Sequence, residues 1–420
     1  MTMWNSFVDP LYGRVQLGDA LASLVAKPLV QRLRHVRLSN IDSIDIPSIA
    51  NLSRFEHVLG VAHLAGQLSL RNRLDRRELL VLDAAALLHD WAITSFGHLV
   101  EEALQYVGTG FDHEKRLEDI TLRQAEILGA DLQIFAGREA GLRTWARSAA
   151  GQDEQKLLQD IMEHIDGKGR FGRVISGDID IDNIDNVFRM AFHMGLQFDR
   201  TIPLRLAKSI VDVEPEAREP VFRAEAEGDI HAWREVRRQV YDHLMLAERD
   251  FVGKIMILSA TVQAFRAREI LLVDWKIVDH DFLVRLTESE TKEVRDTIER
   301  WLAGELWVCT PIYWLKGARP SYPQLLKFSE DLSHRLDRYC FAYGIKEKRE
   351  RVISAHFDDG RQKTFGEKPD QWLFGVASSS KRSFTAKEVR VILEFACESF
   401  GTSIIQPAHK SEENEQACLF

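Results

Sequence analysis

The chain has 420 residues, of which 45% are hydrophobic, 28% charged and 9% aromatic, an ordinary globular composition that excludes a disordered or fibrous chain. Its 55 Lys and Arg stand against 64 Asp and Glu, a net charge of −9 that argues against nucleic acid as a partner, because phosphate neutralisation dominates that affinity. The cysteines at 309, 340, 397 and 418 lack CxxC spacing, and neither a signal-peptide apolar region nor a membrane-length apolar run is present, so the expectation is a reducing cytoplasm with no disulfide framework, no zinc finger and no membrane.

In chain order, Asp9-Pro10-Leu11-Tyr12-Gly13 reads as a turn. A helical stretch follows from Leu21 to Val36, with Leu21, Leu24, Val25, Leu29, Leu33 and Val36 recurring every three or four residues beside a basic face of Arg32, Arg34 and Arg37. Ser53, with Glu56 three residues on, predicts the N-cap of a helix over 54–70. A further apolar helix is predicted over 78–89, and helical periodicity persists over 101–165. Residues 170–181 are Gly-bearing and β-branched and read as a small strand or loop. Helix returns over 182–196. The charged segment 204–230, with Pro215 and Pro220, reads as a surface connection, and 233–270 as one long helix. Past about residue 300 the pattern changes, with strands over 306–314 and 372–377 and a helix over 386–400. The mixed-sign run Lys346–Arg351 reads as a solvated helix face. The fold expected is mainly α, with a helical core over 1–300, a small α+β C-terminal lobe over 301–407 and a loose tail over 408–420.

Candidate chemistry gathers on three predicted helices. His57 follows the Ser53 cap, the doublet His89-Asp90 closes the apolar helix, and Asp182 opens the helix DNIDNVFRMAFHMGL. Two imidazoles and two carboxylates make a mixed nitrogen/oxygen donor set suited to a divalent ion, whether Mn, Fe, Mg, Zn or Ni. An ion held so polarises a phosphoryl oxygen and acidifies bound water. Each piece alone is weak: a lone His on an apolar face is more often a core residue, and His280-Asp281 repeats the doublet without the rest.

Order and spacing carry more. Gln31-Arg32-Leu33-Arg34, then Ser53-Arg54-Phe55-Glu56-His57-Val58-Leu59-Gly60-Val61, then Leu87-Leu88-His89-Asp90 resemble the HD-domain metal-dependent phosphohydrolases, and more narrowly the deoxynucleoside triphosphate triphosphohydrolases and bacterial dGTPases. The resemblance covers about residues 7–200 and opens with Asp9–Gly13, like the family's DPxxG. It implies an HD-type helical core in which His57, His89, Asp90 and Asp182 are the metal ligands. It further implies that His98, Glu101 and His113 are catalytic, imidazole shuttling a proton beside a carboxylate that fixes its tautomer. Arg54 would stabilise charge at the α-phosphate. Arg249 and Lys254 sit where relatives carry cationic phosphate contacts, the plain alternative being a solvated helix face.

The chain also departs from the family pattern. Ile93 replaces a histidine of HDxGHxPFSH. Leu38 and Met190 stand where a relative holds the sugar 3′-hydroxyl, and Asn183 and Asn186 where it has a substrate-binding lysine and tyrosine. Ala26 replaces an acidic residue of an allosteric guanine site whose Gln31 and Arg34 remain; a simple basic helix face is the equal alternative. The resemblance implies a dNTP substrate cleaved to deoxynucleoside and triphosphate, a homo-oligomer, a possible allosteric nucleotide and a role in dNTP depletion as antiviral or antiphage defence. Phosphohydrolysis of another nucleotide, and nucleotide sensing without turnover, are the rival expectations.

Overall fold

The computed structural model describes residues 5–39, 44–123 and 142–408. The described helices are α1 (Asp19–Val25), α2 (Pro28–Arg32), α3 (Pro47–Ala50), α4 (Arg54–Gln67), α5 (Arg76–Leu88), α6 (His98–Tyr106), α7 (His113–Glu118), α8 (Leu142–Ala150), α9 (Glu154–Ile165), α10 (Gly172–Ile175), α11 (Ile181–Met194), α12 (Ile202–Ser209), α13 (Glu227–Leu246), α14 (Glu248–Arg266), α15 (Asp279–Thr287), α16 (Lys292–Leu302), α17 (Tyr322–Leu336) and α18 (Ala386–Phe400). Strands β1 (Ser6–Asp9) and β2 (Gly13–Gln16) form an antiparallel hairpin around the Asp9–Gly13 turn. The protein is mainly α with small sheets, as its periodicity and the family resemblance predict.

Two hydrophobic clusters organise the chain. The first buries Val58, Leu64, Leu82, Leu88, Ile161, Val187 and Trp233, so α4, α5, α9, α11 and α13 share one core. The second buries Leu99, Ile255, Ile298, Leu325, Phe341 and Phe374, joining α6, α14, α16 and α17 to a sheet. At the centre of that sheet is β10 (Gln371–Ser378). One of its edges carries β7 (Cys340–Lys346) and the other carries β6 (Tyr313–Lys316) and then β5 (Val308–Cys309), with β11 (Ser403–Pro407) outside β6. A second sheet has the order β3 (Ile210–Val213), β4 (Pro220–Phe222), β8 (Ile353–Phe357), β9 (Gln362–Phe365), with β4 and β8 parallel. Elements from both sides of residue 300 thus pack in one core and pair in one sheet; the lobe division at 300 stays a proposal about folding units.

Several local expectations are corrected. The stretch 21–36 is broken into α1, α2 and a 3₁₀ turn, because Pro28 cannot continue α1 and starts α2 instead. Of the strand or loop expected over 170–181, the structure has loop, interrupted by the single turn α10. The surface connection 204–230 is largely ordered: it holds part of α12 and both β3 and β4, and β4 is an inner strand of its sheet. The long helix over 233–270 is two helices, split at Ala247, whose ψ of 105° is extended. The run 346–351 is the end of β7 and a loop, not a helix face, with Glu347 buried against Arg349. In the tail expected over 408–420, residues 409–420 lie outside the described residues.

Candidate functional site

Helix starts and stops aim the ligand-type side chains. Ser53 accepts the Glu56 amide at 3.2 Å and begins α4, which turns His57 into the core. The reciprocal half of that capping box is absent, because the Glu56 carboxylate instead meets Arg189 at 2.6 Å and His193 at 2.9 Å. Asp75 and Glu78 make a complete capping box at the start of α5, and the helix ends so that His89 and Asp90 emerge at its C-terminus. Asp180 caps α11 by accepting the Asn183 amide at 2.6 Å, which leaves Asp182 in the first turn.

These three helices bring the four residues together. His57 Nε2 lies 3.0 Å from Asp182 Oδ1 and 3.7 Å from Asp90 Oδ2; His89 Nε2 lies 3.3 Å from Asp90 Oδ2 and 3.6 Å from Asp182 Oδ1. Both Nε2 atoms are buried and neither makes a hydrogen bond of good geometry. The opposite ring nitrogens are engaged: His57 Nδ1 is 2.8 Å from Asp185 Oδ2, and His89 Nδ1 is 3.0 Å from the Ala86 carbonyl. Those acceptors fix each ring so that Nε2 faces the carboxylates; burial lowers both imidazoles, but Asp182 and Asp185 raise His57 and Asp90 and Asp182 raise His89. Burial raises the Asp90 carboxyl, but Arg54, His89 and His57 outweigh it and hold it well below the usual range. Asp182 is likewise held low against burial by His57 and His89. Two unpartnered imidazole nitrogens facing two ionised carboxylates fit a divalent cation.

Behind His57 stands a buried network that the sequence reading missed. Asp185 is gripped by Arg189, Nε to Oδ2 and a terminal nitrogen to Oδ1, both at 2.9 Å. Arg189 also pairs with Asp9 at 3.0 Å, and the Tyr12 hydroxyl donates to Asp185 Oδ1 at 2.8 Å. The Asp9–Gly13 turn therefore braces the carboxylate that orients His57. The spacing Asp185-x-x-x-Arg189 on one helix face was the available signal.

A second cluster adjoins the first. Glu101 Oε2 accepts from His98 Nδ1 at 2.9 Å and from His113 Nδ1 at 3.1 Å, and its Oε1 accepts the His113 amide at 3.2 Å. Asp112 caps α7 and so presents His113. His113 Nε2 is 3.9 Å from Asp90 Oδ1, which links the two clusters. Burial would raise Glu101, but the two histidines hold it far below the usual carboxylate range. The two imidazoles are driven apart. Desolvation lowers His98, aided by His113 and Arg54 and opposed by Glu101, whereas Glu101 and Asp90 raise His113 against its burial.

A cleft of about 130 Å³ opens beside both clusters, lined on its polar side by Arg54, His98, Asn186, Lys254 and Lys348. Leu38 and Met190 contribute apolar wall. Arg54 is fixed by Asp90 and the Leu38 carbonyl, each at 2.6 Å. Lys254 is buried against Glu102 at 3.1 Å and lies over the Tyr343 ring. Burial, with repulsion from Lys348, lowers its pKa to about 8 against the attraction of Glu102. The side-chain Oδ1 of Asn186 is buried without a partner. Two expected substrate contacts lie elsewhere. The Asn183 amide is tied back to Asp180, and Arg249 is 62% exposed and paired with Asp45. Lys348, from the run read as a helix face, was missed. Ile93 is buried in the first core, and Gln31 and Arg34 hydrogen-bond one another at 2.8 Å, with Arg34 over the Phe55 ring.

Residues 54–166 match the HD domain family. That span holds His57, His89, Asp90, His98, Glu101 and His113, and Asp182 follows it. The deoxynucleoside triphosphate triphosphohydrolase SAMHD1 of Xenopus laevis is 33% identical over 231 residues, covering 48% of this chain and 36% of the relative. The Danio rerio enzyme of the same name is 24% identical over 356 residues, 72% of this chain and 55% of the relative. The uncharacterized protein MJ1154 of Methanocaldococcus jannaschii is 22% identical over 293 residues, 70% of this chain and 57% of the relative. The chain thus spans from about a third to somewhat over half of the length of these relatives. By these matches residues 54–166 carry an HD domain, and the chain is similar over this core to the deoxynucleoside triphosphate triphosphohydrolases.

Proposed function

We propose that the chain is a metal-dependent phosphohydrolase that cleaves a deoxynucleoside triphosphate to deoxynucleoside and triphosphate. The observation that carries this reading is the junction of the His57/His89/Asp90/Asp182 donor set, the His98–Glu101–His113 cluster and a cation-lined cleft. A divalent ion bound to the first set would supply Lewis-acid polarisation of a phosphoryl oxygen and an acidified water.

The protein's own groups take the remaining roles. Lys254 and Lys348 neutralise phosphate charge in a cleft whose buried walls keep the field strong. Arg54, locked onto Asp90, contributes positive charge without needing to reorganise. His98 lines the cleft with Nδ1 committed to Glu101, so its Nε2 is the atom that exchanges a proton with the reacting water or the departing 5′-oxygen. The bond between the α-phosphorus and that oxygen breaks, water supplies the new P–O bond, and the proton ends on the deoxynucleoside.

The apolar Leu38 and Met190 favour one rival, a phosphate ester other than a dNTP, since a site without polar partners reads a sugar hydroxyl poorly. Purified protein with Mn²⁺ and each dNTP, alone and in mixtures, followed by chromatography, separates the two. Deoxynucleoside plus triphosphate, lost in His89→Ala/Asp90→Ala, is the expected result. Nucleoside monophosphate products, or none from any dNTP, would overturn it.

A further inference from the structure

A polar cavity lies apart from the residues of the metal cluster and its cleft. It measures about 920 Å³, within the range of small-molecule sites. Its floor belongs to the β3–β4–β8 sheet. Val221 and His356 are register partners on parallel strands, and Asp212 of β3 is the antiparallel partner of Val221, so the three side chains share a face. Arg73, Lys168, Arg170, Arg218 and Arg361 line the cavity around it.

The charges there run against the chain as a whole. The protein carries −9, yet this cavity gathers five Lys and Arg and a histidine. Its carboxylates are committed locally. Asp212 holds Arg73 at 2.6 Å, Asp358 accepts the Ala224 amide at 3.0 Å, Glu214 accepts the Ala217 amide and Glu163 accepts from Gln159 at 3.2 Å. Lys168, Arg170 and Arg361 are in exposed ion pairs, which exchange partners at little cost. Among the described residues, the side chains of Arg218 and His356 make no hydrogen bond or ion pair. Arg218 also sits at φ 58°, in the left-handed region that a long side chain rarely adopts. The turn retains that conformation through Arg218 N to Glu214 O at 2.9 Å and Glu214 N to Glu219 O at 2.8 Å, and it places an unpaired guanidinium at the cavity rim.

We propose that this cavity is a second binding site, taking a phosphate-bearing small molecule of mononucleotide size. Its phosphates engage Arg218 and His356 and the cations around them, and its ring lies on the sheet face at Val221. The site joins the helical core, the 210–222 strands and the C-terminal β8–β9 hairpin. It is independent of the reaction proposed for the metal centre.

Arg218→Gly tests it without endangering the fold, because glycine adopts the left-handed turn freely. Calorimetric titration is run in EDTA, where the metal centre is not loaded, with dATP, inorganic tripolyphosphate and deoxyadenosine as probes. The wild-type protein and Asp90→Ala are expected to bind dATP and to bind deoxyadenosine at least tenfold more weakly. Arg218→Gly, with an unchanged or raised Tm, is expected to lose dATP binding at least tenfold, and His356→Gln to weaken it further. Tripolyphosphate binding more weakly than dATP assigns the sheet face at Val221 to the ring. No binding of dATP to the wild-type protein, equal binding by Arg218→Gly, tripolyphosphate binding as tightly as dATP, or loss of the event in Asp90→Ala would each overturn the proposal.

Discussion

The Nδ1 atom of His57 lies 2.8 Å from Oδ2 of Asp185, and this single contact turns the opposite ring nitrogen toward Asp90 and Asp182. Both residues are fully buried, and Asp185 is fixed in turn by Arg189 and Tyr12. A carboxylate behind a ligating imidazole sets its tautomer and raises its basicity, an effect worth about 10–100-fold in metal affinity. Asp185→Asn keeps the shape and removes the charge. We expect equilibrium dialysis against Mn²⁺ to show a loss of that size, with helix content by circular dichroism unchanged. Metal affinity equal to the wild type would remove Asp185 from this role.

Gly60 lies one turn after His57, where helix α4 crosses the Asp185–Arg189 pair. A Cβ at Gly60 would collide with the Asp185 carboxylate and the Arg189 guanidinium, neither of which has space to retreat. Gly60→Ala should therefore destabilise the protein by about 1–3 kcal/mol, despite alanine's better helix propensity. Urea denaturation measures this, and a stabilised variant would show that the network yields easily. Gly66, on the same helix but in open space, is the control, and Gly66→Ala should be neutral or stabilising.

Glu101 presents one carboxylate to two imidazoles and an amide. Glutamine offers a single carbonyl oxygen and would direct two N–H donors at groups that themselves donate. Glu101→Gln should lower kcat by about 10²–10⁴-fold, the range of a lost acid–base contribution, while metal content stays at the wild-type level. Inductively coupled plasma analysis of the same preparation makes the distinction. Metal loss in parallel with activity would mean that Glu101 supports the donor set and not proton transfer.

The legibility of this protein follows the range of each interaction. Ser53 as a helix cap, the end of α5 at His89-Asp90 and the start of α11 near Asp182 are local and were readable from residue type and spacing. The network behind His57 joins Asp9 and Tyr12 to residues some 175 positions later, and no local pattern announces which buried Asp and Arg will meet. Ala247 breaks the predicted long helix although alanine is the best helix former, so packing overrode propensity there. Lys348 was read as solvated because its neighbours alternate in sign. Strand β7 carries it to the cleft, and the sheet that places β7 is built from pairings distant in sequence. The segment 204–230 looked like a connection for the same reason, since β4 exists by pairing with β8 more than 130 residues on.

Lys254 yields a prediction whose sign depends on pH. Burial and Lys348 lower its pKa to about 8, against about 10.4 for an unfolded lysine. Below about 8 the ammonium is charged in both states, and its charge is available to substrate phosphate. As pH rises through 8 the folded protein gives up the proton first. The cation is then lost from the cleft, while the unfolded chain still binds a proton, so Lys254's contribution to stability rises between about 8 and 10.4. Binding should weaken over the range in which folding strengthens. If the proposed dNTP is the substrate, the wild-type KM for it should climb above pH 8, and in Lys254→Met it should be raised already at pH 7 and flat across the range. Bound phosphate favours the ammonium, so substrate addition at pH 8.5 should take up protons, visible as a dependence of binding enthalpy on the ionisation heat of the buffer. A wild-type KM that does not change between pH 7 and 9.5, with no proton uptake, would place Lys254 outside phosphate recognition and leave it as the buried partner of Glu102 alone.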